Sequence, residues 1–374
     1  MVPLMFALSP EEFPVAAPLF SNIPYHTVIK TILNGSSPGH VYVNDAGNPT
    51  LAVAQFKHHT FLGGDPAIVH QIELLNFFSN EVVNNCKNLN IPLFRLLIPS
   101  PAWKAVIEEL FGPLNPVYMD YQCYQKTIKK PNSEYLIPKE FFLQKITSKL
   151  VSKDFAGRDD LIEEMCSERV SVDTFLDNSF GIGAFYKNQL AGWCLSEYNH
   201  ENCCEVGITT LPPHRDKGLA KAMTAHFCNL AIENGYDTIL WHCDKSNLPS
   251  SRTALGSGFT LVEDSSVLAV YHDRAIHLAV HVNRAFQRRH FHDAIFWCQR
   301  ALSENLSQSW IAWNAACAAS QTGETDMAFA FLHTAIDLGF SDIEALDSSE
   351  HQSLLKNNPR WNTILGYLDK TKSY

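Results

Sequence analysis

Glu205-Val-Gly-Ile-Thr-Thr-Leu-Pro-Pro-His-Arg-Asp-Lys-Gly-Leu-Ala220 decides how this chain is read. Its first residues predict a strand over 203–210. A proline-bearing loop follows, and a helix runs from about Lys217 to Asn234. A strand whose loop opens a helix can hold an anion. The first N–H groups of the helix lack partners, and its dipole favours negative charge. Gly218 lets the backbone come close to a pyrophosphate, and Ala220 keeps the next turn free of bulk. Arg215 and Lys217 add positive charge. The three glycines of a dinucleotide turn are absent, as is the G-K-[ST] of a phosphate loop. Alone, R-x-x-G-x-A is a short motif that an ordinary strand-to-helix turn can also show.

Elements of similar type lie on both sides. Upstream, helical pieces over 10–35 are broken by Pro14 and Pro24. Strands follow at 40–43, 51–56 and 60–62, the last ending at Gly63-Gly64-Asp65-Pro66. A helix is predicted over 67–87 with Ile68, Ile72, Leu75, Phe78 and Val82 as its apolar face. Strand 93–97, helix 101–110 and strand 117–126 complete this half, and 126–139 reads as a linker. The order then recurs: strand 141–147, helices 148–156 and 159–166, hairpin 180–186/190–196, strand 203–210 and its helix, strand 238–243, helix 250–256, and strands 259–262 and 267–271. Alternating strands and helices imply an α/β or α+β sheet with helices on its faces. From Ala275 the pattern is helical. Ala285/Ala319, Ala294/Ala328, Ala301/Ala335 and Leu302/Ile336 each stand 34 apart, the period of a tetratricopeptide repeat. Gly323 falls at the expected turn, with Arg289 in the earlier copy. A TPR-like all-α domain is expected there, with a generic helical cap as the plainer alternative.

Composition excludes several classes. The chain has 374 residues, 46% of them hydrophobic, and a formal charge of −10. That is globular, and it argues against nucleic acid or an anionic membrane as partner. No apolar run reaches membrane-spanning length, and MVPLMFALSPEEF lacks the form of a secretory signal. The ten cysteines show no C-x-x-C spacing, so neither a disulfide scaffold nor a metal site is expected. A cytoplasmic location is the expectation.

The motif continues beyond the helix. Thr210, Pro212, Arg215, Gly218 and Ala220 are followed by Asn247 and Ser250, then by Gly258-Phe259. Over about 135–274 the chain resembles the GNAT N-acetyltransferase superfamily. PGHVYVND (38–45), FLGGDP (61–66), CCEVGITT (203–210) and NLPSS (247–251) are similar to the branch that includes the zwittermicin A resistance acetyltransferase. The resemblance implies an α+β fold of tandem GNAT-like mixed β-sheets flanked by helices, with a degenerate GNAT-like domain over 1–130 and a catalytic domain over 135–274; the TPR-like helical domain read from the 34-residue period takes 275–374. The first lacks an Arg in its Leu62–Pro66 loop, and Pro66 removes a donor, so it predicts no anion site. That half is expected to help shape an acceptor pocket.

The implied chemistry moves an acetyl group from acetyl-CoA, as cosubstrate, to an amine. Backbone of Ile208, Thr209 and Thr210 would pair with the pantetheine arm. N–H groups of Arg215, Asp216, Lys217, Gly218, Leu219 and Ala220 would hold the pyrophosphate, and Asn247 and Ser250 would border the acetyl end. The strands at 203–210 and 238–243 would splay between them. The ammonium must lose a proton before it attacks. Glu205 is the first candidate base, with His242 and Asp244 next; the imidazole titrates near neutrality. Many members place a Tyr seven residues after the Asn, and here that position is Ala254. Tyr198 and Tyr236 are the nearby phenols, and solvent protonation of the thiolate is the alternative. The acceptor is expected to be a small-molecule amine, a metabolite or aminated antibiotic. The other readings are a peptide or protein recruited by the helical repeats, or an inactive CoA-binding scaffold.

Overall fold

The computed structural model describes residues 5–131, 136–304, 306, 308–342 and 353–371. The chain forms two compact units, Met1–Val270 and Tyr271–Tyr374.

The first unit is built on one twelve-stranded sheet. Its strands are β1 Phe6–Ala7, β2 His40–Val43, β3 Leu51–Phe56, β4 His59–Gly64, β5 Leu93–Ile98, β6 Val117–Thr127, β7 Phe141–Lys145, β8 Gly181–Tyr186, β9 Gln189–His200, β10 Cys203–Thr210, β11 Thr238–Asp244 and β12 Thr260–Tyr271. Their spatial order is β1-β2-β3-β4-β5-β12-β6-β11-β10-β9-β8-β7. The two halves therefore exchange their last strands. β6 pairs antiparallel with β11 from Thr127↔Thr238 to Tyr121↔Asp244, and β12 pairs with β6 on the other side. The segment around 130–135 thus separates two stretches of sequence but not two sheets.

Alternation along the strands feeds a different core on each face. In the later half, Ile239, Trp241 and Cys243 of β11 pack with Cys204 and Val206 of β10 beneath α8 (Leu219–Glu233). The opposite face meets α5 (Ser148–Val151), α6 (Arg158–Ser167) and α7 (Val172–Asn178) through Trp193 and Leu195. In the earlier half, α1 (Thr27–Leu33) and the 3₁₀ segment Pro10–Phe20 cover Phe61 and Leu97. Phe94 and Leu96 turn the other way, toward α2 (Gln71–Phe77), α3 (Val83–Asn88) and α4 (Pro101–Phe111).

Three local expectations are corrected. The helix foreseen over 67–87 begins at Gln71, and a π turn, Phe78–Val82, separates α2 from α3. The buried face is Leu74, Phe77, Phe78, Val82 and Cys86; Ile68 lies in a 3₁₀ turn ahead of the helix and Ile72 in its first turn, and both are exposed. The strands foreseen at 259–262 and 267–271 are one strand, carried across by a register shift between Leu261 and Glu263. α7 has no counterpart in the sequence pattern; Ser171 caps it, accepting from Thr174 N.

The second unit contains α10 Arg274–Gln287, α11 Phe291–Ser303, α12 Ser309–Gln321 and α13 Thr325–Asp337, followed by helical segments Ser353–Lys356 and Arg360–Thr371. Residues 34 apart hold matching places. Ala294 and Ala328 are buried in α11 and α13, as are Ala301 and Ala335. Arg289 and Gly323 both take the left-handed backbone at the turns, with φ of 59° and 79°.

Candidate active site

β10 and β11 run parallel and pair only at Cys203↔Thr238, Cys204↔Ile239 and Glu205↔Leu240. Beyond that, Val206–Thr210 bonds only to β9, and Trp241–Asp244 to β6. The register slips at Glu205, between Cys204 and Val206, where the strands begin to part. The fork that opens leads into a cleft of about 840 Å³. Ile208, Thr209, Thr210, Arg215, Asp216, Gly218, Leu219, Ala220, Asn247 and Ser250 all line it.

The loop's conformation explains its openness. Asp216 (φ 61°) and Gly218 (φ 77°) are both left-handed. A Cβ on Gly218 would meet nothing within 4 Å. No side chain caps α8, and its first internal bond runs from Ala222 N to Gly218 O, 3.2 Å. The N–H groups of its first turn therefore have no partner inside the helix. Arg215 Nε donates to Thr210 O at 3.0 Å, bracing the loop. Thr210 Oγ1 is buried without a hydrogen-bond partner. Donors, orphaned hydroxyl and open space together fit a pyrophosphate with an extended arm.

On the face opposite α8, Glu205 Oε1 lies 2.8 Å from His242 Nδ1, and both side chains are largely buried. Burial alone would drive the His242 imidazole toward neutrality. The Glu205 carboxylate and the neighbouring Cys123 outweigh it and raise the pKa well above the ordinary value. The His26 ring stacks on His242 with centroids 5.1 Å apart. His26 is pushed down, chiefly by burial, although Glu263 at 3.1 Å opposes this. One imidazole of the stack is thus held charged and the other neutral. A third carboxyl approaches from β9. A Cβ on Gly207 would fall 1.8 Å from Glu197 Oε1, so glycine is required there to admit it. Burial, then the charges of Glu205, Glu168 and Glu164, raise its pKa well above the carboxylate range.

A cavity of about 100 Å³ opens at the dyad and runs across the sheet into the earlier half. Its walls include His26 and Val28 from the start of α1, His59 from β4, Arg95 from β5, Ser265 from β12 and Tyr198 from β9. His242 Nε2, Thr60 Oγ1, Arg95 Nε and Ser265 Oγ are buried there without hydrogen-bond partners. At one wall, Tyr198 donates to Glu168, which also lies 3.5 Å from His59. Burial presses Glu168 upward, but these two partners hold it down at about 2.

The remaining sequence candidates fall elsewhere or serve the frame. Asp244 accepts from Ser246 N (2.7 Å) and Ser246 Oγ (2.5 Å), closing the turn after β11, and lines neither cavity. Lys217 turns from the cleft to Glu140, 3.3 Å away. Asn247 Oδ1 accepts from Ser250 N (3.2 Å), capping α9 (Leu248–Gly256), and Ser250 Oγ accepts from Trp241 Nε1 (2.9 Å). Ala254 is fully buried beneath the sheet. Tyr236 stacks on Phe180 and lines a different pocket. His26, Arg95, Glu197 and Lys221, the last lining the cleft, have no local motif to announce them. Gly207 at the fork is the one signal, and it points to Glu197. Among the described residues no cluster suited to a metal ion is found, and no helix is long and apolar enough to cross a membrane.

A family model described as GNAT acetyltransferase matches residues 17–268. An uncharacterized N-acetyltransferase of Bacillus subtilis (strain 168), YdfB, is 27% identical over 244 residues, 64% of this chain and 89% of that protein. A GCN5-related N-acetyltransferase-like protein from Streptococcus suis 89/1591 aligns with a TM-score of 0.51 and 22% identity, covering 69% of this chain and 98% of its own. A GCN5-related N-acetyltransferase from Sphaerobacter thermophilus gives 0.50 and 13%, covering 71% and 95%. At these identities the solved structures speak for the fold alone. The family match ends before the helical unit.

Proposed function

The chain belongs to the GNAT acetyltransferase family and is an acetyl-CoA-dependent N-acetyltransferase; from that premise we propose that it acetylates a primary amine of a small molecule. One observation carries the choice of acceptor. The cavity that meets the fork is about 100 Å³, the scale of a small organic group, and both halves of the sheet wall it. The likeness to the zwittermicin A resistance branch agrees with an aminated metabolite or antibiotic. The 34-residue period supports reading the helical unit as a TPR-like pair.

In this proposal the N–H groups from Arg215 to Ala220 hold the pyrophosphate, and Ile208–Thr210 receive the pantetheine as an added strand. Acetyl-CoA supplies the thioester carbonyl carbon. Glu205 and His242 act as a coupled pair at the fork. The acceptor ammonium gives a proton to Glu205, while His242 compensates the charge that moves. The amine nitrogen then bonds to the carbonyl carbon as the C–S bond breaks. Both protons that the nitrogen sheds pass to solvent, the first through Glu205, and solvent returns one to the departing thiolate, so one proton is released net. Ala254 offers no hydroxyl and the Tyr198 hydroxyl is committed to Glu168, so the sulfur takes its proton from solvent.

The test is thiol release from acetyl-CoA with a panel of small amines against a panel of peptides. Turnover confined to the amines is the expected result. Turnover confined to peptides overturns the acceptor class, and acetyl-CoA binding without turnover on either panel points to a scaffold.

A further inference from the structure

The far wall of the acceptor cavity carries a positive charge with nothing to neutralise it. Arg95 is held in the sheet by its backbone, whose N–H donates to His58 O at 2.6 Å. Its side chain lines the cavity, and Nε is buried without a partner. Among the described residues Arg95 forms no ion pair. The nearby carboxylate, Glu168, is already taken by His59 and Tyr198. The neighbouring His58 is pressed to about 3, first by burial and then by the charges of His59 and Arg95. Thr60 Oγ1 and Ser265 Oγ line the same cavity, and both hydroxyls are buried and unpartnered. Arg95 is half-buried and its Nε has no partner, so a ligand that brings an anion would be favoured there. A planar guanidinium beside two hydroxyls suits a carboxylate, which it can hold with two parallel bonds.

The sheet order sets the span. β5 and β10 are separated by β12, β6 and β11. Arg95 and Glu205 nevertheless line one cavity. A ligand held at both ends therefore carries its amine and its anion several bonds apart.

We propose that Arg95 is the specificity residue of the acceptor pocket and that the acceptor is an ω-amino carboxylate, its amine at Glu205–His242 and its carboxylate on Arg95. This rests on the small-molecule amine reading above and makes it narrower. The test uses the full chain with acetyl-CoA and ω-amino carboxylates of increasing length, each matched to the amino alcohol of the same length. Wild type, Arg95→Lys and Arg95→Met are compared. The wild type should favour the carboxylate about 10- to 100-fold, chiefly through KM. Arg95→Met should erase that preference and leave the alcohols unchanged, and Arg95→Lys should keep part of it. Equal use of alcohols and carboxylates by the wild type overturns the proposal, as does an equal loss for both in Arg95→Met.

A second arm omits turnover and measures thermal stabilisation by simple alkyl carboxylates. It should appear in the wild type and vanish in Arg95→Met; its absence in the wild type overturns the assignment of Arg95. Carboxylate-dependent stabilisation together with acetyl-CoA binding, but no amine turnover, would instead overturn the amine acceptor.

Discussion

The two halves of the sheet each contain a parallel pair that soon parts: β4 with β5 at His59↔Arg95 and Thr60↔Leu96, and β10 with β11 at three positions. β4 ends in two glycines, whereas β10 runs into a glycine-bearing loop, and the glycines serve opposite ends. At Gly63 a Cβ would fall 2.8 Å from Leu19 O and from the Phe20 ring. At Gly64, with φ of 100°, it would fall 2.0 Å from Thr50 O. Trp103 Nε1 donates to Gly64 O at 3.1 Å. At Gly218 there is nothing to meet. The earlier glycines let the chain pack on itself, whereas the later one keeps a space empty. The charges differ as well, with His59 and Arg95 at one fork and Glu205 with His242 at the other. The lesson is that a glycine where a strand ends or a helix begins takes its meaning from what lies beyond its missing side chain.

Five variants would break or sharpen this contrast. Gly218→Glu should abolish acetyl-CoA binding by placing bulk and negative charge where the pyrophosphate sits, with folding retained because the site is open. Calorimetric titration checks it, and undiminished affinity would move the cofactor elsewhere. Glu205→Gln should lower kcat/KM at least 100-fold, the scale of a lost general base, while acetyl-CoA affinity holds; unchanged turnover removes Glu205 as base. Gly64→Ala should do the reverse of Gly218→Glu. It should cost about 3 kcal/mol of stability through overlap and a strained φ, read by denaturant unfolding, with cofactor affinity intact.

The charged fork should also show in pH. His242 titrates higher folded than unfolded, so its pairing stabilises fully below about pH 6.5 and fades as pH rises through the raised value. The stability gap between wild type and His242→Gln should therefore narrow on going alkaline, and a constant gap would show that the pair is not charge-coupled. The smallest effect is expected from Asn247→Ala. Loss of the α9 cap should cost about 1 kcal/mol. A fall in acetyl-CoA affinity well beyond that would give Asn247 a direct part in binding.

What could be read beforehand follows from range along the chain. The 203–220 stretch carries its own strand, loop and helix start within sixteen residues, so the cleft was legible from local chemistry. Glu205 and His242 were each legible as candidates because they stand on adjoining strands of that same half. Arg95, His26 and Glu263 were not. His26 and Glu263 adjoin the dyad, and Arg95 lines the cavity that opens at it, only because β12 and β6 change places, and no periodicity in either strand records its neighbour. The face foreseen over 67–87 was misread only at its start: Phe78 and Val82 are buried as expected, but the helix begins at Gln71, after a 3₁₀ turn that takes Ile68 out of its period.

The exchanged strands also set a timetable for synthesis. When a ribosome has delivered the first 130 residues, β5 and β6 exist, but the place between them belongs to a strand more than a hundred residues away. The earlier half must wait, its middle open, until Thr260–Tyr271 emerges. Premature termination just before Thr260 would remove the centre of the sheet and leave its margins, so the two halves must be made, and lost, together.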